Sequence, residues 1–130
     1  MIKIASLDHL VLTVASIRRT TDFYVRVLGM TPQTFESLGT VRHALVFGRQ
    51  KFNLHEVGNV VDPNVRHAMP GSGDICLLTE TPIGDVVAHL QACGVSIILG
   101  PTERTGAASK LTSVYFHDPD ENLIEVANAH

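Results

Sequence analysis

The order of predicted secondary structure elements occurs twice along the chain, and this duplication restricts the possible folds most. Residues 7–14 form an apolar, β-prone run, and a helix with a good N-cap and a terminal glycine follows over residues 16–29. The pattern restarts with a strand at 74–79 and a helix at 81–94, which Pro82 favours at its start. The register of the repeat is simple, since 29 plus 65 is 94 and both positions are glycine.

Each half then continues with β-rich runs, so the predicted order is strand, helix and three strands in each half. The later strands are predicted at 41–47 and 51–57 in the first half and at 95–99, 111–116 and 122–127 in the second half, with a loop at 100–109. We therefore predict an α+β fold of two βαβββ modules within one domain, residues 1–130. Module one covers about 5–57, a linker covers 58–72, and module two covers about 73–128. A module of about 60 residues buries too little surface to be comfortably stable alone.

Composition excludes several classes of function. The formal net charge of −3 and the absence of a basic cluster argue against nucleic-acid binding. No apolar run is long enough to span a membrane, and the N-terminus lacks the pattern of a signal peptide, so we expect a cytoplasmic protein. Cys76 and Cys93 form no CxxC motif, and we expect both as reduced core residues.

Alternation along the strands separates polar candidates from the core. In the last predicted strand, Glu125 alternates with apolar residues, and in the run 51–57 Asn53 and His55 do the same. An offset of 70 pairs His55 with Glu125. A competing offset of 69 pairs Glu56 with Glu125 but puts Glu56 on the apolar side of its strand. We prefer His55.

The repeat places four groups at matching points: His9 with Asp74, since 9 plus 65 is 74, and His55 with Glu125. Imidazole and carboxylate are ligands for borderline and hard divalent metals. Each residue alone has an ordinary structural explanation, and only the joint placement indicates a metal site. Such a site with open positions can polarise a substrate oxygen or a water.

The sequence resembles the vicinal oxygen chelate superfamily, which includes glyoxalase I, methylmalonyl-CoA epimerase, fosfomycin-resistance enzymes, extradiol dioxygenases and bleomycin-binding proteins. Three segments carry the resemblance: 7–14, 23–30 and 116–125, the last close to the family pattern Asp-Pro-Asp-Gly-Asn-x-Ile-Glu. Glu121 stands where that pattern has glycine. Segments 51–56 and 70–76 resemble the branch called glyoxalase domain-containing protein 5.

This resemblance implies a fold in which the sheets of two modules form an open, cup-shaped barrel around a divalent metal ion (Fe, Mn, Ni, Co or Zn). His9 and Glu125 match the first and last family ligands, and His55 falls on or near the second ligand strand. Asp74 stands where glyoxalase I and the epimerases usually have histidine, which makes the predicted site more anionic. Glu125 is also the candidate base that removes a proton next to a substrate carbonyl.

The predicted function is a metal-dependent enzyme of lyase or isomerase type that acts on a small oxygen-rich substrate. An extradiol-type dioxygenase, which would use His9, His55 and Glu125, and a non-catalytic binding or resistance protein are the alternatives. Arg104 and Lys110 in the predicted 100–109 loop region could neutralise an anionic substrate. The resemblance also implies a homodimer.

Overall fold

The computed structural model describes residues 1–59 and 61–130. The chain divides into two compact units, unit 1 at Met1–Pro70 and unit 2 at Gly71–His130, and each has a four-stranded sheet with one helix. Unit 1 contains β1 (His9–Val14), α1 (Ile17–Leu28), β2 (Thr31–Ser37), β3 (Thr40–Phe47) and β4 (Gln50–Glu56). Unit 2 contains β5 (Asp74–Leu78), α2 (Ile83–Ala92), β6 (Leu99–Thr105), β7 (Lys110–His117) and β8 (Leu123–Ala129). The α+β class and the strand–helix–strand–strand–strand order are confirmed.

The two sheets have the same topology. In unit 1 the strand order is β1-β4-β3-β2, and in unit 2 it is β5-β8-β7-β6. The first and last strands of each unit are parallel neighbours, and the other pairs are antiparallel. A parallel neighbour needs a crossover, and α1 and α2 provide it.

Helix α1 packs on one face of its sheet because its apolar residues recur at helical spacing. Tyr24 and Val27 are buried, and the Tyr24 ring meets Phe52 of β4 edge to face at 5.8 Å between centroids. The predicted ends of α1 are confirmed. Ser16 Oγ accepts a hydrogen bond from the Arg19 amide at 3.2 Å, and Gly29 adopts the left-handed conformation with φ 66°.

Helix α2 covers the corresponding face of unit 2, where its Val86 and Leu90 are buried together with Ile124 and Val126 of β8. Pro82 is the N-cap position, one residue before the helix, and it provides no capping side chain. Neither helix in the described part of the chain is long and apolar enough to cross a membrane.

Two local predictions are wrong. The predicted strand at 95–99 is irregular up to Ile98, and most of the predicted 100–109 loop is strand β6. A further strand, β2, lies at 31–37, where no particular strand was predicted. Both β2 and β6 are sheet edges with mostly exposed residues, so backbone pairing to β3 and β7 forms them without an apolar alternation.

Candidate functional site

Each sheet has one face covered by its helix and a second face, which we call the helix-free face. In unit 1 the buried residues of β4, Phe52 and Leu54, point toward α1, so Asn53 and His55 lie on the helix-free face. Glu56 lies on the helix side, where its Oε1 accepts a hydrogen bond from the Ile17 amide at 3.0 Å. The carboxylate thus sits at the positive end of α1, which gives Glu56 a structural role.

His9 is the first residue of β1 and lies on the helix-free face. Its Nδ1 is 2.8 Å from Asp8 Oδ1. In the neutral tautomer that donates its Nδ1–H to this carboxylate, Nε2 has a lone pair for a ligand. This carboxylate–histidine arrangement is the one that commonly orients a metal-binding imidazole.

The register between β1 and β4 sets which residues of β4 lie near His9. His9 is level with Lys51, Val11 with Asn53 and Thr13 with His55. Asn53 therefore lies two residues beyond the level of His9, about 7 Å along the strand at about 3.3 Å per residue. His55 lies four residues beyond that level, about 13 Å along the strand. Of the two, Asn53 is the residue nearer to the level of His9 on this face, and His55 lies two residues farther along.

Two buried polar atoms on this face have no hydrogen-bond partner among the described residues: Asn53 Oδ1 and His55 Nδ1. Orphaned buried acceptors are rare in folded proteins and often mark a position that an ion, a water or a ligand fills. Burial, and secondly the positive charge of Arg42, lower the pKa of His55 below its ordinary value. The protonated imidazolium form of His55 is therefore disfavoured.

In unit 2, Asp74 and Glu125 lie on the helix-free face with the same spacing. Asp74 begins β5 level with Leu123, and Cys76 is level with Glu125. The carboxylate of Glu125 is half-buried, and its Oε2 accepts a hydrogen bond from the buried Ser113 hydroxyl at 2.6 Å. Partial desolvation raises the pKa of the Cys76 thiol to about 11 although the residue as a whole is exposed, and the Glu125 carboxylate adds to the shift by its charge and by a hydrogen bond.

These registers correct the symmetric pairing that the sequence predicted. Val11 of β1 corresponds to Cys76 of β5, since 11 plus 65 is 76. Asn53 is level with Val11, and Glu125 is level with Cys76. The counterpart of Glu125 is therefore Asn53, an offset of 72, and not His55. The matching pairs are His9 with Asn53 and Asp74 with Glu125. A metal-binding role for His55 stays a prediction. Among the described residues, no group of three His, Cys, Asp or Glu side chains is placed to hold a metal ion.

The prediction of two core cysteines is wrong, since Cys76 is exposed and Cys93 is only half-buried. The alternation of side chains along a strand predicts that Cys76 shares a face with Asp74, because the residues are separated by two positions on β5. Cys93 instead lies one helical turn from His89, with 3.5 Å between Sγ and Nε2. His89 is exposed on α2, as predicted.

The two predicted cations of unit 2 have partners outside the Asp74–Glu125 pair. Arg104 Nε donates to the Tyr115 hydroxyl at 3.0 Å, and its guanidinium lies 5.5 Å from the centre of that ring. Lys110 Nζ lies 3.9 Å from Glu103 Oε1.

Comparison with known proteins agrees with this architecture. Residues 6–126 match the family model of the Glyoxalase/Bleomycin resistance protein/Dioxygenase superfamily. The chain is 48% identical over 121 residues to virulence protein STM3117 of Salmonella typhimurium, covering 93% of this chain and 82% of that protein. It is 43% identical over 127 residues to the glyoxalase domain-containing protein RDO1 of Mycosarcoma maydis, covering 98% of this chain and 70% of that protein.

Solved structures show the same fold. An integron cassette protein from the mobile metagenome of V. cholerae is 50% identical, with a TM-score of 0.93 over 98% of both chains. Lactoylglutathione lyase of Agrobacterium tumefaciens and the fosfomycin resistance protein FosX of Listeria monocytogenes share the fold at 20% and 18% identity, with TM-scores of 0.69 and 0.68. The chain therefore belongs to the glyoxalase/bleomycin resistance protein/dioxygenase superfamily, the vicinal oxygen chelate superfamily that its motifs resemble.

Proposed function

We propose that the protein is a divalent-metal-dependent enzyme that acts on a small substrate with adjacent oxygen atoms, by lyase or isomerase chemistry. One observation carries the proposal: the two units present donor pairs, His9 with Asn53 and Asp74 with Glu125, at identical register positions. The donor types, one imidazole, one amide oxygen and two carboxylates, suit a borderline or hard divalent cation. Asn53 Oδ1 and His55 Nδ1 both lack a partner among the described residues, and the register favours Asn53 because it lies nearer to the level of His9.

When bound, the metal would supply Lewis-acid polarisation of the substrate oxygens. The chain itself supplies the proton transfer. We assign Glu125 as the base that removes a proton next to the substrate carbonyl, because hydrogen bonds from Ser113 and Cys76 hold its carboxylate in one orientation. Asp8 has the corresponding task for His9, whose ring it orients from the Nδ1 side.

A non-catalytic binding protein is the second candidate. An antibiotic-binding protein of a Streptomyces species, TnmS3, has the same fold at a TM-score of 0.76 and 19% identity. An extradiol-type dioxygenase is less well supported, because the register separates His55 from His9 by about 13 Å along the strands. The homodimer that the resemblance implies is part of the proposal, and sedimentation of the purified chain tests it.

Metal content per chain, measured by mass spectrometry after purification, tests the proposed ligands. We expect His9→Ala, Asn53→Ala and Glu125→Ala each to weaken metal affinity by about tenfold or more, since each removes a ligand. His55→Ala and the surface control His89→Ala should retain the wild-type content. Unchanged content in both His9→Ala and Glu125→Ala would refute the site. Loss in His55→Ala with retention in Asn53→Ala would restore His55 as the ligand.

Activity distinguishes the two candidates. The adduct of methylglyoxal and glutathione is the first substrate to assay, and we expect weak turnover or none, because Asp74 replaces the usual histidine. A metal-loaded protein that binds small ligands equally well with Glu125→Gln, and turns over none of a panel of α-hydroxy carbonyl compounds, would support the binding protein instead.

A further inference from the structure

The helix-free face of unit 1 carries two cationic side chains that the proposed metal site does not use. Arg42 of β3 lies on this face because Ala44, two residues along, is level with Asn53. Lys51 of β4 lies there too, two residues before Asn53. Both side chains are half-buried.

The Lys51 side chain extends along the sheet, although its backbone is level with Val46, four residues from Arg42. Lys51 Nζ lies 4.1 Å above the centre of the Phe35 ring. Phe35 belongs to edge strand β2 and is level with Arg42 in the register of β2 with β3. The lysine side chain therefore extends over the sheet toward the level of Arg42, and its ammonium is held there by the aromatic face.

No negative charge balances this pair on the same face. The face is formed by the odd-numbered residues of β1, β2 and β4 and the even-numbered residues of β3, and these positions include no Asp or Glu. Glu36 and Glu56 belong to the opposite face of the sheet. Within residues 1–59 and 61–130, neither Arg42 nor Lys51 forms an ion pair. Two half-buried cations without a counter-ion attract an anion.

We propose that Arg42 and Lys51 form a binding site for the negatively charged group, a carboxylate or a phosphate, of an anionic substrate. This deepens the proposed function and rests on it, since it names the substrate class of the same protein. The guanidinium fork can bind two oxygens of such a group, and the ammonium adds a point charge. Asn53 lies on the adjacent strand of the same face, so the anionic group and the proposed metal ligand Asn53 belong to one surface.

Titration of the full-length protein with inorganic phosphate and, separately, with malonate tests the site by calorimetry. Each titration uses the protein as purified and again after EDTA treatment, which removes binding to a metal ion. We expect saturable binding in both preparations. Arg42→Gln and Lys51→Gln should each weaken it about tenfold, and Arg42→Lys should restore part of the loss. Arg49→Gln, which removes an exposed charge from the β3–β4 turn, is the matched control and should bind as wild type.

The probe that binds more tightly identifies the group as phosphate-like or carboxylate-like. Equal binding by wild type and an Arg42→Gln/Lys51→Gln double variant would overturn the proposal, as would the absence of saturable binding. Metal content measured on the same variants separates the two proposals. Lost anion binding with full metal content locates the defect in the cationic pair. Anion binding by a wild-type protein that contains no metal as purified and takes up none when a divalent metal is added would leave this site standing and refute the metal centre.

Discussion

The two units share a backbone plan but differ in the charge of their helix-free faces. The strand order is the same in both units, and the register of β1 with β4 corresponds to that of β5 with β8. The strands of unit 1 present Arg42 and Lys51 there and no carboxylate, whereas unit 2 presents Asp74 and Glu125 together with Arg104, which donates a hydrogen bond to Tyr115. The donor positions correspond between the units, His9 with Asp74 and Asn53 with Glu125, whereas Arg42 and Lys51 stand where unit 2 has Ser113 and Leu123. A duplicated scaffold can in this way keep one set of donor positions in both copies while one copy gains additional cationic groups.

The units also differ in the hydrogen bonds that connect the segment before the first strand to the start of the last strand. We call these hydrogen bonds the tie of each unit. In unit 1, Gln50 Nε2 donates to the Leu7 carbonyl at 3.0 Å in an exposed position. In unit 2, the buried Asn122 accepts from the Gly73 amide at 2.7 Å and donates to Asp118 Oδ2 at 2.8 Å. Asp118 Oδ1 also accepts from the Asp120 and Asn122 amides. The unit 2 tie is thus a buried network that fixes Asp74 relative to Glu125.

The largest predicted effect breaks that network. Asn122→Ala leaves Asp118 and the Gly73 amide with lost partners in a buried position, so we expect the free energy of unfolding to fall by about 2–4 kcal/mol. Gln50→Ala, the exposed counterpart, should cost about 1 kcal/mol or less. Urea denaturation of both variants measures the difference. Equal losses would show that the two ties are equivalent.

The next effect concerns Cys76, for which unit 1 has only Val11 at the same level. With a pKa of about 11, Cys76 should react with iodoacetamide about 100-fold more slowly at pH 8.5 than an ordinary thiol, because the thiolate is the nucleophile. The rate should keep rising until about pH 11. Glu125→Gln removes the neighbouring negative charge and should shift this profile to lower pH. The variant Cys76→Ser measures the contribution of Cys93. A wild-type profile that levels off near pH 9 would contradict the proposed contact with Glu125.

The smallest effect concerns His55. Its pKa in the folded state is lowered, so the unfolded chain binds the proton more readily. The resulting loss of folding stability is absent at pH values above the unfolded-state pKa of about 6.5. It grows as the pH falls toward the lower pKa of His55 in the folded state. His55→Asn should therefore lose less stability than wild type between pH 7.5 and 5.5. Arg42→Gln should act in the same direction, since it removes the second cause of the shift. Identical pH profiles for wild type and His55→Asn would show that this face does not disfavour the imidazolium.

Sequence alone determined the repeat, both ends of α1, and the side of each strand on which Glu125, Asn53 and His55 lie. These features depend on local chemistry: capping side chains, glycine in a left-handed conformation, and the alternation of side chains along a strand. The superfamily was equally readable, because its motifs occupy contiguous segments. Edge strands β2 and β6 were not, since their exposed residues lack the apolar alternation of half-buried strands.

Only the tertiary structure decided between Asn53 and His55 as the counterpart of Glu125. They lie two residues apart on one strand and therefore share a face. The alternation of side chains along the strand cannot show which of them corresponds to Glu125. Their levels depend on the pairing of β4 with β1, which begin about 40 residues apart in the chain (9 and 50), and on the different turns that precede β4 and β8. That register is a contact between distant segments, and so are the approach of Lys51 to Phe35 and of Cys76 to Glu125. The charge contrast between the two faces follows from those contacts, because the pairing sets which side chains become neighbours.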